Sequence, residues 1–255
     1  MRASDFVRYE GDEPQDVAGA VPREVPLLIR VNDVDLVTLS HTPVRSNTLA
    51  LGFLYLEGLI DGLDDVALMR VCDDETVAEV QLTRDLDVAA LQQRRTITSG
   101  CGGGATFGLI DPQKLPPISH TRTVSTTQIQ DRMGDLLVAA RAYLAAGGLH
   151  TAALSDGSQL LIVTEDVGRH NTLDKVMGEC LLRGLSPAGH ILLTTGRVSS
   201  EMLLKAARMG VPIVTSRTSP TDLSVALARD LNITLVGYVR GPTLNVYAGA
   251  ARLCA

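Results

Sequence analysis

The chain has 255 residues, of which 45% are hydrophobic and 20% are charged, a composition typical of a soluble globular protein. Aromatic residues make up only 3%, Trp is absent and the formal net charge is −6, which argues against a nucleic-acid-binding protein. No apolar run is long enough to span a bilayer, and the polar N-terminus does not have the pattern of a signal or transit peptide, so we expect a cytoplasmic protein without a membrane partner.

The charge is distributed unevenly along the chain. Residues 1–100 contain 18 Asp and Glu against 9 Lys and Arg, whereas residues 190–255 contain 3 against 7. A basic C-terminal region in an acidic chain indicates where an anionic ligand would bind.

The N-terminal part predicts a frayed segment followed by a small α+β portion. Residues 1–24 are polar and acidic, and we expect them to be disordered or frayed. A helix is predicted from a cap at Ser46 or Asn47 to about Ile60, because its apolar residues recur at helical spacing. Two hairpins are also predicted, one at Val25–Val31 and Val34–Leu39 around Asn32-Asp33, the other at Val66–Cys72 and Thr76–Leu82.

The most reactive residue predicted from the sequence is Cys101, which lies between Gly100 and the run 102–104 of three glycines. Such a loop can present several backbone N–H groups to a thiolate, which lowers the thiol pKa while the sulfur stays accessible. A Cys-His nucleophile pair with His150 or His170 is an open alternative. The formal match to a dinucleotide-binding fingerprint is weak, because Pro112 interrupts the crossover helix that such a site needs.

The other three cysteines, Cys72, Cys180 and Cys254, are far apart and form no Cys-x-x-Cys pair. This spacing excludes a zinc ribbon, and we predict no metal site.

The prolines of residues 109–122 indicate a connector, after which the pattern becomes that of an α/β domain. A helix capped by Thr126 or Thr127 and ended by Gly147-Gly148 is followed by a hairpin around Asp156-Gly157. Helices and short apolar runs then alternate to about residue 239, and one helix is predicted to open at Ser219-Pro-Thr-Asp222. We therefore predict a small α+β domain over 25–122, ending in the Cys101 loop, and an α/β core domain over 123–255.

An arginine follows each of the last four predicted strands: Arg169, Arg197, Arg217 and Arg240. Ligands of open α/β sheets bind beyond the carboxyl ends of the strands. Several guanidinium groups at one such edge favour an anionic ligand with more than one phosphate over a set of ordinary surface ion pairs.

The predicted order of elements is also compatible with a cytidine-deaminase-like core, but the zinc-ligand signature of the deaminases is absent. His170, at a strand-to-helix corner, is equally consistent with a ligand contact and with a helix-capping role. No P-loop, nucleophile elbow or metal motif supports a phosphate-binding hydrolase.

The stretch Glu165-Asp-Val-Gly-Arg-His-Asn-Thr-Leu-Asp-Lys-Val176 resembles the signature of the formate dehydrogenase accessory sulfurtransferases, the FdhD family. Further matches to this family extend over residues 25–250, and they include Leu51-Gly-Phe-Leu-Tyr-Leu-Glu-Gly58, Gly147-Gly-Leu-His-Thr-Ala-Ala-Leu154, Gly196-Arg-Val-Ser-Ser-Glu-Met202 and Tyr238-Val-Arg-Gly241.

The resemblance implies a cytidine-deaminase-like three-layer core, a homodimer and a sulfurtransferase activity. Members of this family take persulfide sulfur from a cysteine desulfurase and pass it to the molybdenum cofactor needed by the formate dehydrogenase catalytic subunit. Cys101 matches the persulfide position of the family. The segment Tyr238, Val239, Arg240, Gly241, Pro242 and Thr243 matches its region for the bis-guanine-dinucleotide cofactor, which binds transiently.

This chain departs from the family at two positions. Many members carry Cys-x-x-Cys at the loop, and here Gly104 replaces the second cysteine; many have Asp where Pro242 stands. A relay through one cysteine remains chemically possible, because a single thiolate can accept a sulfur and pass it on. The alternative function is a chaperone that binds and delivers the cofactor without handling sulfur.

Overall fold

The protein has a mixed α/β fold. Its structure is a computed structural model that describes residues 1–87, 90–91, 96–97, 105–107, 110–140, 145 and 147–254. Within these residues the helices are α1 Ser46–Leu56, α2 Thr126–Ala139, α3 Arg169–Arg183, α4 Ser200–Arg208 and α5 Asp222–Asp230. None of the helices in the described part of the chain is long and apolar enough to cross a membrane.

The N-terminal segment forms an antiparallel hairpin of β1 Arg2–Glu10 and β2 Glu13–Val21. We expected residues 1–24 to be frayed because of their charge. The charged side chains lie on exposed strand positions, and Gly11 adopts the positive φ of 66° that the tight turn needs.

A four-stranded sheet follows, in the order β4-β3-β6-β5. Both predicted hairpins are confirmed, and Asn32 and Asp33 both have positive φ, as a two-residue hairpin turn requires. The strands are β3 Val25–Val31, β4 Val34–His41, β5 Val66–Val71 and β6 Val77–Leu82.

Helix α1 lies between this sheet and α3. Its Leu49, Phe53 and Leu54 pack on the sheet, whereas Gly52 touches the backbone of Asp174 in α3. The predicted cap was wrong: Arg45, in a left-handed conformation and without a side-chain cap bond, precedes the helix. The side chain of Ser46 is hydrogen-bonded to His41 Nε2 instead, at 2.7 Å.

The largest sheet has six strands in the order β11-β10-β12-β13-β14-β15. Strands β12, β13 and β14 are parallel to one another, and β10 is antiparallel to both of its neighbours, so β11 runs in the same direction as β12. The strands are β10 His150–Ser155, β11 Leu160–Asp166, β12 Ile191–Thr194, β13 Ile213–Ser216, β14 Thr234–Arg240 and β15 Thr243–Ala248.

Helices cover both faces of this sheet, which gives three layers. Successive residues of β10 show the division: Ala152 and Leu154 pack with helices α3, α4 and α5, whereas Ala153 packs with α2. The α/β class predicted from the alternating pattern is confirmed. Two-residue strands complete the chain: β7 Thr96–Ile97 pairs with β8 Ala105–Thr106, and β9 Val124–Ser125 pairs with β16 Leu253–Cys254.

Two helices begin at residues other than those predicted. Ser125 caps α2 in a reciprocal capping box with Gln128, in place of Thr126 or Thr127. Thr221 caps α5 in the same way with Ser224, two residues after the predicted Ser219. In each helix a neighbouring hydroxyl accepts the hydrogen bond from the N3 backbone N–H. Which hydroxyl does so depends on the local backbone path.

Candidate functional site

The corner between β11 and α3 is built around the buried carboxylate of Asp166. Its Oδ1 accepts hydrogen bonds from Gly168 N at 2.9 Å and from Asn171 Nδ2 at 2.8 Å. Its Oδ2 lies 2.6 Å from Lys175 Nζ and accepts from Thr42 N at 3.2 Å. These bonds hold the first turn of α3 against the end of β4, so this part of the signature is the scaffold of the site.

Lys175 completes that scaffold from inside the protein. Its ammonium also donates to Thr42 O at 3.0 Å and to Glu165 O at 3.3 Å, and the residue is 1% exposed. Burial lowers its pKa, and the ion pair with Asp166 opposes that shift. Removal of either partner would leave a buried, uncompensated charge.

Arg169, the first residue of α3, is buried at the N-terminal end of that helix. The residue is 5% exposed, and its Nε has no hydrogen-bond partner among the residues that the structure describes. The helix begins at Gly168 without a side-chain cap, so its first backbone N–H groups are also without intrahelical acceptors. A buried cation beside an uncapped helix N-terminus is an arrangement suited to an anion.

Gly196, which follows β12, has no side chain, and Arg169 and His150 occupy the space beside it. A Cβ at this position would lie 3.1 Å from Cβ of Arg169 and 3.3 Å from Nδ1 of His150. Burial lowers the pKa of His150, and the positive charge of Arg169 lowers it further. The imidazole of His150 is therefore favoured in its neutral form, beside the guanidinium.

His170 is hydrogen-bonded to the start of α4 and is 7% exposed. Its Nε2 lies 3.2 Å from Glu201 Oε2 and 3.3 Å from Ser199 Oγ. Burial lowers the pKa of His170, whereas Glu201 opposes the shift; the same contact with His170 lowers the pKa of Glu201. His170 therefore connects the N-terminal turns of α3 and α4.

Arg217 and Arg240 lie together after β13 and at the end of β14. Nε of Arg240 donates to the carbonyl of Arg217 at 3.3 Å, and the Arg240 guanidinium lies 5.5 Å from the centroid of the Tyr238 ring. Tyr238 has a positive φ of 51° at an irregularity between β14 and β15. This conformation and the contact with Arg240 place an exposed ring beside an exposed cation.

The predicted cofactor segment has one buried and several exposed members. Val239 is 2% exposed and packs in the core beneath the sheet, so its side chain faces away from this surface. Gly241 and Pro242 form the exposed turn into β15, and Thr243 Oγ1 donates to Arg240 O at 3.0 Å.

All four predicted arginines lie at or beyond the carboxyl ends of β11 to β14, but their environments differ. Arg169 is buried, Arg217 is half-buried, and Arg197 and Arg240 are exposed. Sequence spacing places them on one edge and does not distinguish their burial.

Cys101 lies outside the described residues, and the structure describes only what flanks its segment. Before it, Ile97 pairs with Ala105; after it, Thr106 and Phe107 are bonded to Glu57. Of the described cysteines, Cys180 is buried, which raises its thiol pKa to about 12, Cys72 is half-buried and Cys254 is exposed.

Sequence reasoning missed the buried cluster of Glu57, Asp174 and Lys205. Lys205 Nζ lies 2.6 Å from Asp174 Oδ1 and 3.8 Å from Glu57 Oε1. Burial raises the pKa of Asp174 to about 6. Burial opposes the charged form of Lys205, but Asp174 and Glu57 outweigh this effect and raise the pKa of Lys205. In the sequence, Asp174 and Lys205 lie within helical patterns and Glu57 lies at the end of one, which does not reveal that the three are buried together.

The fold and this corner define an α/β protein with four arginines at the carboxyl edge of its sheet, where proteins of this class have the crevice that binds their ligand. The sequence profile of the FdhD/NarQ family matches residues 22–254. The chain belongs to the FdhD/NarQ family.

Two sulfur carrier proteins are similar in sequence to almost the whole of this chain. The sulfur carrier protein FdhD of Staphylococcus haemolyticus (strain JCSC1435) is 35% identical over 255 residues, which are 99% of this chain and 97% of that protein. The protein of the same name from Staphylococcus aureus (strain MRSA252) is 37% identical over 250 residues, 97% of this chain and 94% of that protein.

A solved structure has the same fold. The crystal structure of a proposed formate dehydrogenase accessory protein from Desulfotalea psychrophila matches with a TM-score of 0.79 at 27% identity. The match covers 99% of this chain and 98% of that one.

Proposed function

We propose that this protein is a sulfur carrier that takes persulfide sulfur from a cysteine desulfurase and passes it to the molybdenum cofactor of a formate dehydrogenase. Cys101 is the carrier residue, and the bis-guanine-dinucleotide form of the cofactor is the substrate. The observation that carries this proposal is Arg169 at the N-terminus of α3, which is buried and whose Nε has no hydrogen-bond partner among the described residues. A family of sulfur carriers needs such a site if its substrate is a pyrophosphate-rich cofactor.

The loading step is a thiol–disulfide-type exchange. The Cys101 thiolate attacks the outer sulfur of the desulfurase persulfide, and the sulfur–sulfur bond of that persulfide breaks. The bonding electron pair leaves with the desulfurase cysteine as a thiolate, and Cys101 now bears the persulfide. This loading step needs neither an oxidant nor a reductant, because the sulfur–sulfur bond that forms replaces the one that breaks.

The arginines and His170 bind the cofactor in this proposal. Arg169 and the first N–H groups of α3 bind one phosphate group inside the crevice, and His170 borders it. Arg197, Arg217 and Arg240 extend the positive charge outwards, and the exposed Tyr238 ring offers a stacking surface for a guanine.

Three finer points belong to the same proposal. The three-layer core is of the cytidine-deaminase-like type, the working form is a homodimer, and the protein acts in the cytoplasm. Size-exclusion chromatography with light scattering tests the second point directly, because a dimer has twice the mass of the 27.1 kDa chain.

The test of the sulfur relay compares single cysteine variants. In cells that lack the native factor, C101A should fail to restore formate dehydrogenase activity, whereas C72A and C254A should restore it, because their contexts do not suggest a catalytic role. Mass spectrometry of the protein after incubation with a desulfurase and cysteine should find one added sulfur on Cys101. Full rescue by C101A would favour the chaperone alternative and would refute the relay.

A further inference from the structure

Glu57, which caps the C-terminal end of α1, binds the chain immediately after the segment that contains Cys101. Its Oε2 accepts a hydrogen bond from Thr106 Oγ1 at 2.8 Å and another from Phe107 N at 3.1 Å. Phe107 is 1% exposed, and its ring meets Phe53 of α1 edge to face at 6.1 Å between centroids. One carboxylate thus joins this stretch of backbone to the helix.

The carboxylate is itself held by a buried ammonium. Lys205 of α4 lies between Glu57 and Asp174 of α3, and all three residues are less than 9% exposed. Burial of a charged carboxylate is costly unless it is paired and hydrogen-bonded. A surface hydroxyl could anchor a strand without this cost, whereas a buried, paired carboxylate holds it in one fixed position.

The same helix carries the contact to the candidate anion site. Glu201, which pairs with His170, precedes Lys205 by four residues in α4 and therefore lies one turn away on the same face. The positive charge of Lys205 is close enough to lower the pKa of both His170 and Glu201. Thr106 is therefore connected to His170 through Glu57, Lys205 and one turn of α4.

We propose that Glu57 and Lys205 are positioning residues of the sulfur relay: they fix the strand that follows the Cys101 segment at a set place relative to the crevice in which the cofactor binds. This inference rests on the proposed function and deepens it. Neither residue exchanges sulfur or binds the cofactor. Their effect is to set the geometry in which the thiol meets its reaction partners.

The test uses the full-length protein and three substitutions. Thr106→Val keeps the side-chain volume and removes one hydrogen bond to Glu57, while Glu57→Gln keeps an acceptor and removes the charge that pairs with Lys205. Arg208→Met is the matched control, because Arg208 also joins α4 to the end of α1, but through Tyr55 O and Ile60 O and not through Glu57.

Two measurements are made on each variant. The first is the rate at which a cysteine desulfurase and cysteine load sulfur onto Cys101, followed by mass spectrometry. The second is the pH profile of Cys101 alkylation, with the exposed Cys254 in the same molecule as the internal reference thiol. If the substitutions act only through stability, the alkylation of Cys101 and that of Cys254 should change alike, or the change should follow the fraction of unfolded protein.

We expect loading to fall by about 10- to 100-fold in E57Q, because a displacement of about 1 Å can cost that much in a positioned reaction. The fall in T106V should be smaller, and R208M should load like the wild type at a temperature where all variants are folded. Wild-type loading and an unchanged alkylation profile in both T106V and E57Q would overturn the inference. If C101A fails to restore formate dehydrogenase activity in cells that lack the native factor, the proposed function stands in spite of that result; if C101A restores it, the proposed function itself fails.

Discussion

Replacement of Arg169 by methionine should change ligand affinity and protein stability in opposite directions. The aliphatic part of Arg169 contacts Gly196, since a Cβ on that glycine would lie 3.1 Å from the arginine Cβ and 3.6 Å from its Cδ. Methionine keeps this contact and removes only the guanidinium group. The substitution therefore isolates the charge.

The loss of affinity follows from the burial of the group. Removal of one partner from a buried, hydrogen-bonded charge pair costs about 2–5 kcal/mol, because the other partner is left unpaired. For a phosphate ligand this corresponds to a roughly 30- to 5,000-fold weaker affinity. The matched control is Arg197→Met: Arg197 is exposed, and we expect an effect below about fivefold.

The gain in stability follows from the lack of a partner in the free protein. The Nε of Arg169 makes no hydrogen bond to the described residues, although the residue is 5% exposed. A buried donor without a partner costs about 1–3 kcal/mol. We therefore expect the ligand-free R169M protein to have an unfolding free energy that is higher by about that amount, as often happens when a residue is retained for function at a cost in stability.

Titration calorimetry with GDP at fixed ionic strength measures the affinity, and urea unfolding without ligand measures the stability. Binding to the wild-type protein should weaken as salt is raised, because phosphate contacts are largely electrostatic. Unchanged GDP binding in R169M together with a loss of stability would show that the guanidinium is a structural partner, and the reasoning above would be refuted.

Two further predictions concern the scaffold and its titratable groups. Gly52→Ala should lower the free energy of unfolding by about 3 kcal/mol or more, because the added Cβ would overlap the Asp174 carbonyl oxygen of α3. Urea unfolding measures this loss, and an effect below about 1 kcal/mol would contradict the close packing of α1 on α3. His150 has a pKa below its usual value, so the unfolded state binds more protons as pH falls through about 6.5, and stability should fall. The raised pKa of Asp174 has the opposite effect on stability below about pH 6. The test is therefore the difference in unfolding free energy between the wild type and His150→Asn, which should grow between pH 7 and pH 5. Parallel stability profiles of the two proteins would contradict the prediction.

Much of the fold was determined by local sequence patterns. The Asn32-Asp33 turn and the hairpin around Asp156-Gly157 depend on residues that tolerate the turn conformation, and the alternation of apolar runs with helical patterns from residue 150 onwards predicts a sheet of parallel strands. The common direction of β11 to β14 then places the four arginines on one edge. These inferences need only neighbours in sequence and general rules of chain topology.

Tertiary structure decided which of these residues have a partner. Arg169 and Arg240 both follow a strand, yet only Arg169 is buried, because α3 turns it inwards beside Gly196. Val239 belongs to a segment that resembles a cofactor site, yet it faces the core, since alternate residues of a strand point to opposite faces.

The cluster of Glu57, Asp174 and Lys205 shows the same limit most clearly. Its members are separated by more than thirty residues along the chain and come from three different helices or helix ends. The charge of each residue is visible in the sequence, but long-range packing of α1, α3 and α4 brings them together and removes water. Burial and partnership are properties of the assembled fold, and they convert ordinary charged residues into a scaffold for the site.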